Sequence, residues 1–217
     1  MEVWECIESL PSERRTVTLC SFLPVADPPQ PILGWRRPVY GQHDAVARLR
    51  LAVSRCHAPF LLFVSADCRL RDPLMMDVAL GHLAQGAVVV GGLLAQGDVV
   101  SAAGYAFGTR GPYPRFGGWS VQNERVQRPA GLQAVPLPFL GTRRNAWMAL
   151  DGLRPHFQDR PYADADYCIR AARLGLGIPL YEPAIVVDCP PLPATDPRAV
   201  ELLMASAQPA YDEWQTL

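Results

Sequence analysis

Four aspartates stand where this chain could do chemistry. Asp67 and Asp188 each follow an apolar run that reads as a strand, and Asp164 and Asp166 open a segment with helical spacing. The run at 60–64, FLLFV, shows no polar alternation, which is typical of a strand covered on both faces in a parallel sheet. Open α/β sheets bind ligands at the carboxyl ends of their strands. We therefore expect these carboxylates to converge at one edge, where they could act as general bases or as ligands of a divalent cation.

Each acid also has an ordinary structural explanation. Asp164 and Asp166 are compatible with simple helix N-caps, because acids near a helix start are stabilising without any catalytic role. Asp67 is compatible with the start of a turn, and Asp188 with a position facing water. A functional interpretation therefore depends on the joint pattern of the four acids.

The elements that would position these acids alternate between strands and helices. The pattern predicts strands over 16–22, 60–64, 87–90, 178–181 and 184–187, and an edge strand over 133–140 that two prolines interrupt. It predicts helices over 3–10, 42–56, 72–85, 162–174 and 196–207. This order predicts an α/β fold with a mostly parallel sheet flanked by helices. The glycine- and proline-rich stretch at 97–131 predicts a long loop with a short hairpin or edge strand.

Composition excludes several classes of protein. The chain has 217 residues, 49% hydrophobic and 19% charged residues, and a formal net charge of -1, which describes an ordinary globular protein. This charge balance argues against a nucleic-acid partner. The six cysteines form no C-x-x-C pair, so we expect reduced thiols in a cytoplasmic protein. We expect no signal peptide and no transmembrane segment. The expected location is the cytoplasm, and it can be next to the inner face of the membrane.

Four motifs in order resemble family 2 glycosyltransferases, inverting enzymes with a GT-A fold. The run at 60–64 leads into Ser65-Ala66-Asp67, which resembles a D-x-D motif, and residues 141–153, GTRRNAWMALDGL, resemble the segment that leads to a G-G-F-like turn. Residues 163–175 read ADADYCIRAARLG and resemble the E-D-x-D-h-x-x-R stretch. The strand that ends at Asp188 resembles the one that enters a metal-binding histidine. The resemblance spans roughly residues 16–188.

The resemblance implies a role for each matched residue. Asp164 would be the general base, Asp166 would brace the helix start or orient the acceptor, and Asp67 with Asp188 would hold Mn²⁺ or Mg²⁺ under the donor diphosphate. Asp67 would also bind the donor. The other predicted donor-binding residues are Ser65, Gly41 and Arg48. Arg170, at i+4 from Asp166, is expected to pair with that acid. The aromatic residues of 105–119 and Trp147 could stack on a sugar, although Trp147 fits a core position equally well.

The implied activity is transfer of a sugar, inverting and metal-dependent, from a nucleotide-sugar to a hydroxyl in bacterial glycan or glycoconjugate synthesis. The predicted single domain, 1–217, comprises a nucleotide-sugar and metal half (16–92), an acceptor half (93–188) and a C-terminal tail helix (189–217). The sequence does not determine the oligomeric state, and both a homo-oligomer and a hetero-oligomer are compatible with it.

Departures from the family pattern favour a second hypothesis, a catalytically inactive glycosyltransferase-like subunit that binds a sugar, a nucleotide or a partner. Ser65 and Ala163 replace acids of the family motifs, and Asp188 replaces the histidine. By comparison with the family, we expect the chain to be shortened at the N-terminus and to start in the helix before the family's second strand. A third hypothesis is a nucleotidyltransferase, which usually needs a glycine-rich loop after the first strand, and none is visible.

Overall fold

The computed structural model describes residues 5–9, 16–20, 35–36, 46, 49–50, 53–54, 56–65, 68–109, 111–157, 161–192 and 196–214. The strands are β1 (Glu5–Ser9), β2 (Thr16–Cys20), β3 (Trp35–Arg36), β4 (Phe60–Val64), β5 (Arg69–Leu70), β6 (Val89–Gln96), β7 (Val99–Ala102), β8 (Tyr105–Gly108), β9 (Gly111–Pro114), β10 (Ala130–Gly131), β11 (Phe139–Arg143) and β12 (Leu180–Asp188). The α-helices with described bounds are α1 (Met75–Gln85), α2 (Arg144–Ala149), α3 (Ala163–Arg173) and α4 (Pro197–Trp214), with a 3₁₀ turn at Pro155–Phe157. The described residues 46, 49–50 and 53–54 are also helical.

The central sheet has the strand order β10-β12-β6-β11-β4-β2-β1-β3, with β5 beside β12 and β7 beside β6. The pairs β12–β6 and β2–β4 are parallel. Since β11 lies antiparallel between β4 and β6, the strands β2, β4, β6 and β12 all run in one direction. A separate antiparallel pair is formed by β8 and β9. The α/β architecture with a small antiparallel part in the second half, predicted from the sequence, is confirmed.

Helices cover both faces of this sheet, which explains the unbroken apolar run of β4. Leu61 and Phe63 are buried in one cluster with residues of α2, α3 and α4. Leu62, which points to the opposite face, is buried with residues of α1. Side chains alternate across a strand, so a strand packed on both sides needs apolar residues at every position. Among the described residues, no helix combines the length and apolarity that crossing a membrane requires.

The paired glycines at 91 and 92 lie inside β6, whereas the sequence predicted a strand that ends before them. A Cβ on Gly91 would meet Val135 Cβ at 2.4 Å, and a Cβ on Gly92 would meet the Ile185 carbonyl oxygen at 2.5 Å. The glycines therefore admit the close approach of neighbouring chain segments and do not end the strand.

The edge strand predicted over 133–140 is wrong. The strand begins at Phe139, after Pro136 and Pro138, and lies in the interior of the sheet between β4 and β6. Because the prolines precede the ladder, they remove none of its hydrogen bonds. Thr142 lies in this strand, and its hydroxyl forms hydrogen bonds with the Val88 carbonyl and the Tyr167 hydroxyl, each at 2.9 Å.

Two further differences concern the ends of the sheet. The helix predicted over 3–10 is wrong, since residues 5–9 form β1, antiparallel to β2. The two short strands predicted over 178–181 and 184–187 are one strand, β12, whose register with β6 shifts between Glu182 and Val186. A bulge of this kind locally interrupts the pairing, and Pro183 supplies no amide hydrogen.

Candidate active site at the carboxyl edge of the sheet

The strands β4, β6 and β12 end at the same edge of the sheet, and β11 begins there. Asp188 is the last residue of β12 and Ser65 directly follows β4. The Ser65 amide donates to the Pro138 carbonyl at 3.1 Å, and the Cys68 amide donates to the Ser65 carbonyl at 3.0 Å. The chain then joins the sheet again at Arg69, which pairs with Asp188. The other predicted donor-binding residues, Gly41, Arg48 and Asp67, lie outside the described residues.

Asp164 is buried at the start of α3, with 5% of the residue exposed. Its Oδ2 accepts a hydrogen bond from the Leu137 amide at 2.6 Å, and its Oδ1 accepts one from the Ala165 amide at 2.8 Å. Leu137 precedes Pro138, the hydrogen-bond partner of Ser65, so these contacts bring the helix acid to the same edge as the end of β4.

The surroundings of Asp164 favour its protonated form. Burial raises the pKa of Asp164 to about 6, although the hydrogen bonds from the Leu137 and Ala165 amides oppose that effect. Burial raises a carboxyl pKa because the charged form loses its hydration. A carboxylate with this pKa is mostly ionised at neutral pH and is a stronger base than an exposed one. Such a group can accept a proton from a reacting hydroxyl.

Asp166 is held in a different network. It is 1% exposed, and its Oδ2 accepts from Arg170 Nε at 2.7 Å, the i,i+4 pair expected from the spacing. Arg154 lies 3.4 Å from its other oxygen. Arg170 also donates to the carbonyls of Leu150 and Gly152. The acid therefore ties α3 to the loop after α2, which fits the predicted role of bracing the helix.

Asp188 lines an open cleft of ≈ 750 Å³ at the ends of β6 and β12. Both of its oxygens accept from Arg71: Nε lies 3.1 Å from Oδ1 and 3.2 Å from Oδ2, and Nη2 lies 2.8 Å from Oδ1. Arg71 also donates to the Gly97 carbonyl, and its hydrogen bond with Asp188 raises the pKa of Arg71. Arg69 and Asp98 line the same cleft. Asp188 is thus the partner of an arginine in this structure.

Sequence reasoning did not single out Arg71 or Leu137. A backbone donor such as Leu137 leaves no signal in residue type. Trp147 is 4% exposed and packs against Phe63 and Tyr167 at centroid distances of 5.0 and 5.5 Å. It is a core residue, so of the two explanations offered for Trp147 the structure supports packing.

No protein-family model matches this chain, and no curated protein matches its sequence. The structure is similar to that of GalNAc-T7 with UDP, GalNAc and Mn²⁺, with a TM-score of 0.56 and 12% identity. It is also similar to the mannosyltransferase PcManGT from Pyrobaculum calidifontis in complex with GDP-Man and Mn²⁺, with a TM-score of 0.50 and 15% identity.

These similarities cover most of this chain and a smaller part of the other proteins. The first covers 75% of this chain and 34% of the other, and the second covers 76% and 41%. The chain therefore spans between a third and about two fifths of the structures that it resembles. At such identities the likeness establishes the fold, which is the GT-A-like arrangement expected from the sequence.

Proposed function

We propose that the protein transfers a sugar from a nucleotide-sugar donor to an acceptor hydroxyl with inversion, and that Asp164 is the general base. The observation that carries this proposal is the buried carboxyl of Asp164, whose pKa burial raises to about 6, beside the carboxyl edge of the sheet. Perturbed acids at such positions are candidates for functional groups. The fold shared with two glycosyltransferase structures supports the choice of reaction.

In the proposed reaction, the acceptor oxygen bonds to the anomeric carbon on the face opposite the diphosphate. The bond between that carbon and the diphosphate oxygen breaks, and its electron pair leaves with the diphosphate. The proton of the acceptor hydroxyl passes to Asp164. A single displacement of this kind inverts the anomeric centre. Asp166 is a positioning residue, because its pair with Arg170 fixes the start of α3, where Asp164 lies.

The described residues do not by themselves fit the predicted Mn²⁺ or Mg²⁺. Within the described ranges, no three histidine, cysteine, aspartate or glutamate side chains are grouped so that they could hold a metal. Ser65 has no charge, and both oxygens of Asp188 accept from Arg71. A cation at this site would therefore need Asp67 as a ligand. Asp188 could be a second ligand only after its ion pair with Arg71 is broken. Hard cations of this class prefer several oxygen ligands, at least one of them a carboxylate.

Two variants test whether Asp188 binds a cation or only orients Arg71. If Asp188 is a ligand, Asp188→Asn should weaken Mn²⁺ binding, and Arg71→Gln should strengthen it by freeing the carboxylate. Both residues are partly exposed, and such a pair is worth about 0–1 kcal/mol, so we expect the variants to fold. Mn²⁺ binding is measured by paramagnetic resonance of the free ion. Asp98→Asn, which removes an acid from the same cleft, controls for overall charge. Affinities equal to that of the wild type in both variants would exclude Asp188 as a ligand.

A second candidate function is a binding subunit without catalysis. One observation favours it: the carboxylates of Asp164, Asp166 and Asp188 are all engaged by donors of this chain. Ser65, which has no charge with which to hold a metal, favours the same function. Such a subunit would bind a nucleotide, a sugar or a partner chain and leave the donor intact.

A nucleotide screen separates the two functions. The enzyme should be stabilised against heat by one of UDP, GDP, CMP and dTDP, in the presence or absence of Mn²⁺, because a ligand that binds only the native state raises the unfolding midpoint. It should then release that nucleotide from a matching nucleotide-sugar when an acceptor is present. Stabilisation without turnover supports the binding subunit. If no nucleotide stabilises the protein and no donor in a broad panel is turned over, the proposed transferase is contradicted.

A further inference from the structure

Two arginines at β5 line the open cleft beside Asp188. Arg69 lies opposite Asp188 in the β5–β12 ladder. Leu70, the next residue, lies opposite Val187, and both pack in the cluster that contains residues of α1. Because side chains alternate across a strand, Arg69, Arg71 and Asp188 share the other face of the sheet. All three line the cleft.

This cleft lies on the face of the sheet that α3 covers. Asp188 pairs with Ala95 of β6, and Ala95 also lines the cleft. Val89, an even number of positions earlier in β6, is buried in the cluster that contains residues of α3. Residues an even number apart in a strand point to the same side. The cleft is therefore on the same side of the sheet as the helix that carries Asp164.

The guanidinium of Arg71 is held by its neighbours but keeps donors to spare. Nε and Nη2 donate to the carboxylate of Asp188, and Nη2 also donates to the Gly97 carbonyl. Within the described part of the chain, no group accepts a hydrogen bond from Nη1, which has two hydrogens to donate. The side chain is 31% exposed, so a ligand in the cleft can reach it. A donor that is already fixed in place loses little freedom when it binds a further acceptor.

We propose that Arg71, assisted by Arg69, binds the diphosphate of the donor directly and supplies the positive charge there in place of a divalent cation. This inference rests on the proposed transferase. It accounts for the engagement of both Asp188 oxygens by an arginine, because Asp188 is then the positioning residue that fixes the guanidinium. Planar guanidinium groups match the oxygens of phosphates, and their charge-assisted hydrogen bonds are strong.

The same contact would act during transfer. When the bond between the anomeric carbon and the diphosphate oxygen breaks, the electron pair leaves with the diphosphate, which gains negative charge. A fixed guanidinium beside that oxygen stabilises the developing charge without reorganisation. Asp98 lines the same cleft and opposes this effect, because its carboxylate repels a diphosphate.

The test measures binding of inorganic pyrophosphate to the full chain by calorimetry, in buffer freed of divalent cations with a chelating resin. We expect the wild type to bind, and Arg71→Gln to bind about 10- to 100-fold more weakly, the effect of losing hydrogen bonds between charged groups. Arg69→Gln should also weaken binding. Asp98→Asn should bind at least as tightly as the wild type. Arg128→Gln, which removes an exposed arginine away from the cleft lining, controls for overall charge and should change nothing.

A conservative variant separates the fork of the guanidinium from its charge. Arg71→Lys keeps one positive charge, but an ammonium group cannot contact Asp188 and a phosphate through a planar fork, so its affinity should fall below that of the wild type. Thermal unfolding verifies that each variant is folded, as we expect for a partly exposed pair.

Pyrophosphate binding that requires Mn²⁺, or equal affinities in the wild type and Arg71→Gln, would overturn the proposal for Arg71. This readout does not depend on sugar transfer. If the wild type transfers no sugar, the proposed function is contradicted, and pyrophosphate binding still decides the role of Arg71. If it does transfer sugar, the reaction should persist without divalent cations and should slow in Arg71→Gln.

Discussion

The Asp164→Asn variant should lose transfer activity by about 10²- to 10⁴-fold, the contribution expected from a positioned general base. Asparagine has nearly the same shape and can still accept one backbone hydrogen bond, but it cannot take the proton of an acceptor hydroxyl. Nucleotide binding should persist, because the diphosphate is proposed to lie at the other acids. Initial rates and nucleotide affinity, measured side by side, check both parts. A variant with full activity would contradict the role of Asp164.

The same residue sets the expected pH dependence. Below pH about 6, Asp164 becomes protonated and can no longer accept a proton, so kcat/KM of the wild type should fall as the pH drops through that value. The residual rate of Asp164→Asn should lack this limb. The matched control is Asp151→Asn, an acid with 85% of its side chain exposed, which should keep the profile of the wild type.

Stability offers a second check that requires no substrate. Burial raises the pKa of Asp164 from 3.8 to about 6, so the native state holds its proton at a pH where the unfolded chain has lost it. The free energy of unfolding should therefore fall as the pH rises from about 4 toward 6, by up to about 3 kcal/mol from this group. In Asp164→Asn this dependence should be weaker. Urea titrations of both proteins at several pH values measure the difference.

The second large effect is expected from Asp166. Replacing it with asparagine leaves the buried guanidinium of Arg170 without its counter-charge, which should lower the free energy of unfolding by about 3–5 kcal/mol. For a chain of this length, such a loss lowers the midpoint of thermal unfolding by roughly 10 °C.

Asp151→Asn again provides the comparison, since its pair with Arg50 is exposed and should contribute about 0–1 kcal/mol. Calorimetry of the two variants and of the wild type measures both values. A loss as small as that of Asp151→Asn would contradict the bracing role that we assign to Asp166.

The sequence predicted best where one physical rule acted alone. The run of β4 and the helix at 163–173 follow from uninterrupted apolar character and from helical spacing, and the structure reproduces both. The pair of Asp166 with Arg170 also follows from spacing within one helix. Where two rules competed, the prediction was wrong. The glycines of β6 resembled a strand end because their reason, contact with Val135 and Ile185, involves distant segments of the chain.

The surroundings of the acids could not be predicted for the same reason. Arg71 meets Asp188 across 117 positions of the chain, and Leu137 meets Asp164 across 27. Residue type says that a buried carboxylate needs donors, but the donors are supplied by the topology of the sheet. For Asp164, one donor is the Leu137 amide from a separate segment, and another is the Ala165 amide of its own helix. The sequence therefore indicated Asp164, whereas its raised pKa results from burial that only the folded structure shows.

The short run Pro136-Leu137-Pro138 provides a spectroscopic probe of the protonation state of Asp164. Prolines have no amide hydrogen, so this run carries one, on Leu137, and that hydrogen points at Asp164 Oδ2. The neighbouring carbonyl of Pro138 accepts from Ser65 at the end of β4. The chemical shift and the solvent-exchange rate of the Leu137 amide therefore depend on whether Asp164 is charged. One backbone resonance can thus report the protonation state of the proposed base while ligands are added.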